Sequence, residues 1–435
     1  MMPPVNPAVR LIARPARRFL DTESAGGVLL VLATVIAFIW ANIPGAGVYE
    51  HLWNTTASIG VGSHHLSMNL RGWVNDGLIS IFFFTAGLEL KRELVVGELR
   101  DLRTAALPIV AAVGGMIGSA LVYFGFTAGS PSVHGWGIPM ATDLALALGV
   151  LSLLGKRVSS SVKLFVLALA VADDLGSIVV LAIFYQHSFS WHPLVIAVGL
   201  IGIAVAFRAL RIRWMPLYVA IGVVLWFALY KAGISPTLAG VAMGLLATTR
   251  PHLSTDEVDA HADEITDVSS ARAVLRTIWI ARGATPTAER LELILHPWSS
   301  FVAVPIFAFA NAGISLSGGT LTHYGMARVF GGVLFAKLVG KFVGVVGATL
   351  LARRLGIGRL PEGMGTREVL GIGALAGIGL TVSFLVANLA FADQLRQNQA
   401  KLAVLVAAVI SALVAAFILR HGTSIDDPLE DAISA

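Results

Sequence analysis

Several ionisable side chains stand in stretches otherwise apolar enough to lie inside a membrane, and their types decide what chemistry is available. Asp143 sits in Gly137-Ile-Pro-Met-Ala-Thr-Asp-Leu-Ala-Leu-Ala-Leu-Gly149. Asp173 and Asp174 are adjacent in Leu167-Ala-Leu-Ala-Val-Ala-Asp-Asp-Leu-Gly-Ser-Ile-Val-Val180, and Lys337 and Lys341 sit in Phe335-Ala-Lys-Leu-Val-Gly-Lys-Phe-Val-Gly344. A charge at the centre of a bilayer costs about 2.5–3.5 kcal/mol even on a lenient scale. Each of these residues therefore needs a partner or a purpose. For Lys337 the expected role is structural, a salt bridge or a side chain that snorkels to the outer interface. Neighbouring residues on a helix point about 100° apart, so one bridge does not satisfy both Asp173 and Asp174. One carboxylate is left for a transient ligand. A carboxylate taken out of water favours its neutral form, which brings protons and cations into competition for the same oxygens. Oxygen ligands suit hard ions such as Na⁺ or Li⁺, whereas soft metals want sulfur or imidazole. A site that holds either a cation or a proton is the chemical content of exchange.

The elements that must position these groups are interrupted helices. Gly137, Pro139, Thr142 and Gly149 break one apolar run; Gly371, Gly373, Gly377 and Gly379, followed by Thr381 and Ser383, break another. Unwound backbone at membrane depth is tolerated only where it lines protein or water. Each break presents a partially positive half-helix N-terminus and a partially negative C-terminus. If two such breaks cross, an acid belongs at the positive ends and a base at the negative ends, and Asp143 and Lys341 are the candidates. The second glycine series reads Gly-x-Gly-x-x-x-Gly with no strand before it, which excludes a dinucleotide loop.

Composition agrees. The chain has 435 residues, 56% hydrophobic and 13% charged, with a mean hydropathy of +0.80; soluble domains carry about a quarter charged residues. A cytosolic enzyme, a disordered chain and a nucleic-acid binder are all excluded. There is no cysteine, so neither disulfides nor thiolate metal sites form. Apolar runs begin at 26–43 and centre near 82, 115, 147, 172, 200, 222, 240, 303, 340, 380 and 410, which gives twelve expected spans. The basic residues before the first run and the apolar stretch after them could be a signal peptide, but no small-x-small cleavage site follows. Most Lys and Arg fall in the N-terminus, in alternate connecting segments and at Arg420; the other segments hold only Arg71, Lys231, Arg328, Arg396 and Lys401. By the positive-inside rule both termini are cytoplasmic, and the basic surplus is a topology signal.

The expected organisation is a cytoplasmic tail (1–23), one twelve-helix membrane domain (24–421) and a second tail (422–435). Residues 248–289 read as a solvated cytoplasmic loop with an amphipathic helix near 270–281; its acidic group, Asp256, Glu257, Asp259, His261, Asp263 and Glu264, lacks metal-ligand spacing. An external hairpin is expected at about 55–70, with Ile59, Val61 and Leu66 alternating around Gly62-Ser63. A lone hairpin is marginal, so it is expected to pair with a second copy and give a homodimer. The spans near 115, 147 and 172 correspond in kind to those near 340, 380 and 410, each trio opening on Gly-x-x-x-Gly, at Gly114/Gly118 and Gly340/Gly344. The trios run in opposite senses, the inverted-repeat pattern of secondary transporters.

The chain resembles the NhaA family of sodium/proton antiporters from about residue 24 to residue 420. The likeness rests on Phe84-Thr-Ala-Gly-Leu-Glu-Leu-Lys-Arg-Glu-Leu94, Ala141-Thr-Asp143, Ala172-Asp-Asp-Leu-Gly176, His296-Pro-Trp298, Phe307-Ala-Phe-Ala-Asn-Ala-Gly313 and Pro361-Glu-Gly363. The resemblance implies an all-α fold with two broken, crossing helices in the bacterial inner membrane. It implies a cation and proton site at Asp174 with Asp173, below a cytoplasmic funnel. Lys341 would pair with Asp173, Asp143 with Thr142 would compensate the crossed half-helices, and Asp76 would be an accessory contact. Glu89, Arg92, Glu93, Glu292 and His296 would sense pH, an ordinary interfacial salt-bridge network being the alternative. Histidine can stand in the family where this chain has Leu293 and Ser235, so a different pH profile is expected. The expectation is a carrier, not an enzyme, that needs no cofactor and exchanges Na⁺ or Li⁺ for H⁺ electrogenically. The other readings are a sodium-coupled symporter for an organic anion, against which Asp143 speaks, and an intramembrane aspartyl protease, whose Gly-x-Gly-Asp loop is absent.

Overall fold

The computed structural model describes residues 24–420 apart from 44–46, 62–63, 98–99, 101, 187–189, 211, 213, 250, 252–276, 278–279, 281–282, 317–325, 359 and 362. Both tails, the acidic group of the polar loop, most of its expected helix and the hairpin's Gly62-Ser63 lie outside the described residues.

Among the described residues seven helices are long and apolar enough to cross a membrane. They are Ala105–Thr127, Ser160–Phe184, Trp191–Ala209, Met215–Ala232, Thr287–Asn311, Arg328–Arg354 and Gln394–Leu419. Shorter apolar helices cover Ala25–Trp40, Leu144–Leu154, Thr237–Leu246 and Thr381–Ala390. In chain order we label α1 (Ser24–Trp40), α2 (Gly47–Asn54), β1 (Thr56–Val61), β2 (His64–Asn69), α3 (Ile79–Val95), α4 (Leu102–Thr127), α5 (Leu144–Leu154) and α6 (Ser160–Phe184). There follow α7 (Trp191–Ala209), α8 (Met215–Ala232), α9 (Thr237–Leu246), α10 (Thr287–Trp298), α11 (Val304–Asn311), α12 (Met326–Phe335), α13 (Phe342–Arg354), α14 (Thr366–Leu375), α15 (Thr381–Ala390) and α16 (Gln394–Leu419).

The chain divides into two compact units. The first comprises Met1–Gly72, Leu102–Tyr185 and Val304–Ala435. Both predicted interruptions lie in it. Residues 131–137 form a 3₁₀ turn, 141–143 are neither helix nor strand, and α5 begins at Leu144. The proline at 139 has no N–H to donate to a helical ladder, and the backbone is extended at Asp143, with φ −96° and ψ 106°, so the helix does not run through. The second interruption is 376–380, between α14 and α15. A π-helical turn, Ala336–Lys341, joins α12 to α13. The two Gly-x-x-x-Gly motifs pack against each other: a Cβ on Gly114 would come within 2.6 Å of the Gly344 carbonyl oxygen, and one on Gly340 within 2.6 Å of Gly118's. Without side chains there, the backbones of α4 and α13 approach closely enough for dispersion to hold them in an apolar solvent. β1 pairs antiparallel with β2, with Ile59 opposite Leu66. The base of this pair is fixed by Arg71, which bonds both Glu50 oxygens at 3.1 Å and donates to the Ala310 carbonyl at 3.1 Å.

The second unit comprises Trp73–Asp101 and Gln186–Ala303. Its apolar core joins α7, α8 and α9 through Ala197, Ala204, Ile221, Leu225, Leu229 and Met243. Trp73, Trp226 and Tyr230 stack in a ladder, with ring planes 9° and 3° from parallel.

Candidate functional site

The site is assembled on α6. Asp173 is fully buried there, while Asp174, next along the helix, is partly exposed. The 100° between neighbours gives the two carboxylates different surroundings, as the spacing requires. Asp173 Oδ2 accepts from Lys341 Nζ at 2.6 Å, an ion pair with both side chains at 0% exposure. Thr142 Oγ1 lies 2.5 Å from the same oxygen and 2.9 Å from the Ala376 carbonyl oxygen. A hydroxyl has one proton to donate, so Thr142 serves the carboxylate or the carbonyl, not both. Asp173 Oδ1 has no hydrogen-bond partner among the described residues.

The interruptions supply the rest. Asp143 caps α5, accepting from Leu146 N at 3.4 Å, and its other oxygen accepts from Thr381 Oγ1 at 3.1 Å. One carboxylate therefore stands at the N-termini of both half-helices, α5 and α15, where the partial charge is positive. The Asp143 amide donates to the Ile378 carbonyl at 2.7 Å, tying one break to the other. On the opposite side Lys341 Nζ also donates to the Met140 carbonyl, and Lys337 Nζ donates to the Ala141 carbonyl at 3.1 Å. A Cβ on Gly379 would fall 2.8 Å from Lys337 Nζ, so glycine stands there because the two breaks and the lysine crowd one point.

Lys337 corrects the sequence expectation. It is fully buried and does not snorkel. The interruption frees carbonyls deep inside the unit, and a lysine that finds an acceptor there has no need to reach water. Its spacing of four from Lys341 puts both on one helix face, a signal that the sequence holds and the expectation above leaves out. Thr381, noted only as part of the break, was likewise missed as Asp143's partner. Two tyrosines hold the stretch before α5. Tyr185 Oη, just past α6, accepts from Gly137 N and donates to the His134 carbonyl, both at 2.8 Å. Tyr123 Oη on α4 donates to the Ser132 carbonyl at 2.7 Å.

The remaining predicted residues lie in the second unit. Arg92 Nη1 pairs with Glu292 Oε1 at 3.0 Å, and its Nη2 lies 3.7 Å from Glu93 Oε1. Glu89 lies within electrostatic reach of Arg92, Glu93 and Glu292. His296 is exposed, with Nε2 3.4 Å from Ser300 Oγ. Asp76 sits in a π-helical turn, Trp73–Leu78, where its backbone carbonyl accepts from Trp226 Nε1 at 2.7 Å and from Ser80 Oγ at 2.5 Å.

Residues 17–419 match the protein family described as Na⁺/H⁺ antiporter 1. The chain is 42% identical over 425 residues to "Na(+)/H(+) antiporter NhaA 2" of Sorangium cellulosum, covering 95% of this chain and 91% of that protein. It is 40% identical over 411 residues to "Na(+)/H(+) antiporter NhaA 3" of Frankia alni, covering 94% and 89%. It is 39% identical over 430 residues to the NhaA antiporter of Oleidesulfovibrio alaskensis, covering 95% of each.

Proposed function

The chain belongs to the NhaA family of Na⁺/H⁺ antiporters, and from that premise we propose that it exchanges cytoplasmic Na⁺ or Li⁺ for external H⁺ at Asp173 and Asp174. The observation that carries this reading is Asp173 itself: a fully buried carboxylate with one oxygen held by Lys341 and Thr142 and the other without a hydrogen-bond partner among the described residues. A buried carboxylate in that condition binds whatever small positive charge reaches it. A cation arriving at Asp173 and Asp174 competes with the proton and with the Lys341 ammonium for the same oxygens. When Asp173 carries a proton, the Thr142 hydroxyl is released to the Ala376 carbonyl; when it is ionised, Thr142 donates to it.

Asp143 neutralises the two half-helix N-termini, and Lys341, with Lys337, neutralises the opposing carbonyl ends. This lets two interrupted helices cross within inverted repeats of a twelve-helix carrier. In this reading the protein spans the bacterial inner membrane with both termini cytoplasmic and pairs through its hairpin into a homodimer. It makes and breaks no covalent bonds and needs no cofactor. More than one proton enters per sodium, so the inside-negative potential drives the cycle, at about 2.3 kcal/mol per charge per 100 mV. Glu89, Arg92, Glu93, Glu292 and His296 adjust activity with pH, and Asp76 is an accessory polar group.

Everted vesicles with an internal pH-sensitive dye test the whole reading. A pulse of NaCl or LiCl, with no organic solute present, is expected to dissipate a preformed proton gradient, and KCl is not. Asp174→Asn is expected to abolish the response. Normal exchange by that variant, or a requirement for an organic anion, refutes the proposal.

A further inference from the structure

Beside Asp173 lies a second oxygen that no role yet uses. Ser177 is four residues further along α6, so the two side chains share one face with Cβ atoms about 5–6 Å apart. Ser177 is 4% exposed and Asp173 fully buried. Asp173 Oδ1 and Ser177 Oγ both lack a hydrogen-bond partner among the described residues.

For Ser177 that condition is unusual. A hydroxyl inside a helix always has an acceptor in reach, the carbonyl four residues back. Three buried helical hydroxyls of this unit use it, whereas Ser383 Oγ near the start of α15 is, like Ser177 Oγ, without a partner among the described residues. Thr34 donates to the Leu30 carbonyl at 2.8 Å, Thr127 to the Tyr123 carbonyl at 2.8 Å, and Thr349 to the Val345 carbonyl at 2.7 Å. Ser177 leaves the Asp173 carbonyl alone. Buried polar atoms are nearly always satisfied, so a hydroxyl that forgoes a local partner is turned towards another ligand. One carboxylate oxygen and one hydroxyl oxygen, a helical turn apart on a buried face, form a donor set of the kind a hard monovalent cation takes.

We propose that Ser177 Oγ is a ligand of the transported Na⁺, acting with Asp173 Oδ1. This rests on the exchange reading at Asp173 and names a further residue that sets cation affinity. A neutral oxygen lost from the coordination shell weakens cation binding without removing the carboxylate that carries charge and proton.

Na⁺ dependence of exchange in everted vesicles, normalised to folded carrier, tests it together with Na⁺-induced proton release from purified carrier in weak buffer. Ser177→Ala is expected to raise the Na⁺ concentration for half-maximal effect about tenfold in both assays, with the maximal rate within about twofold. Ser177→Cys preserves volume but presents a soft sulfur, and is expected to behave as the alanine variant does; it stands in if the alanine variant fails to insert. Thr349→Ala removes an equally buried but back-bonded hydroxyl and is expected to leave the Na⁺ dependence unchanged. An unchanged half-maximal Na⁺ concentration for both Ser177 variants, a loss of rate alone, or an equal shift in Thr349→Ala overturns the assignment. Failure of the unsubstituted protein to exchange Na⁺ for H⁺ would instead overturn the reading it rests on.

Discussion

Replacing Lys341 by methionine removes the only ion pair that Asp173 makes among the described residues, at a point where both side chains are wholly out of water. The carboxylate keeps Thr142 as a donor, and the Met140 carbonyl loses the ammonium. Breaking a buried pair from one side typically costs about 3–5 kcal/mol, because the stranded charge has neither partner nor solvent. Asp173→Asn strands the lysine instead, and the same range applies. In the double variant neither charge remains, so most of that penalty should vanish. The cycle is therefore expected to show a favourable coupling of at least about 2 kcal/mol. Unfolding in mixed detergent and SDS micelles, followed by the fluorescence of the 9 tryptophans, gives the four stabilities. Double-variant destabilisation equal to the sum of the singles, within about 0.5 kcal/mol, would show that the pair is not what holds Asp173, and the account of Lys341 would fall.

Other substitutions probe the scaffold around this pair. Tyr185→Phe deletes the bonds to Gly137 and His134 and is expected to cost about 1–3 kcal/mol of stability by the same SDS titration; a neutral outcome would mean the stretch before α5 is held elsewhere. Gly344→Val forces a branched side chain against the backbone at Gly114 and Gly115. Loss of folded protein on size exclusion is expected, and full yield would argue that α4 and α13 do not need this contact.

Much of the design was legible in the chain because membrane burial makes polar residues conspicuous. Asp143 and the glycines and proline around it marked a broken helix, and adjacency of Asp173 and Asp174 ensured that their surroundings would differ. Which of the pair is fully buried was not legible, since α6 has no strong apolar stripe to fix its rotation: residues such as Val166, Leu169 and Val171 are buried around most of its circumference. The two Gly-x-x-x-Gly motifs announced close packing but not that they would meet each other, because a small-residue notch accepts any partner of matching shape. The acceptor of Lys337 was not legible for a related reason, since nothing local to the chain marks the Ala141 carbonyl as its partner.

Residue type and spacing by themselves determined a polytopic helical protein with acids set inside its apolar stretches, since hydropathy, charge bias and helix breakers are local properties of the chain. Tertiary structure alone decided which carbonyls the lysines meet, that Asp143 stands at two helix starts, and that Thr142 spans Asp173 and Ala376. Apart from Thr142 to Asp173, 31 positions apart, and the local cap on α5, those contacts join residues 196 to 238 positions apart, and only the packed backbone brings them within hydrogen-bonding distance.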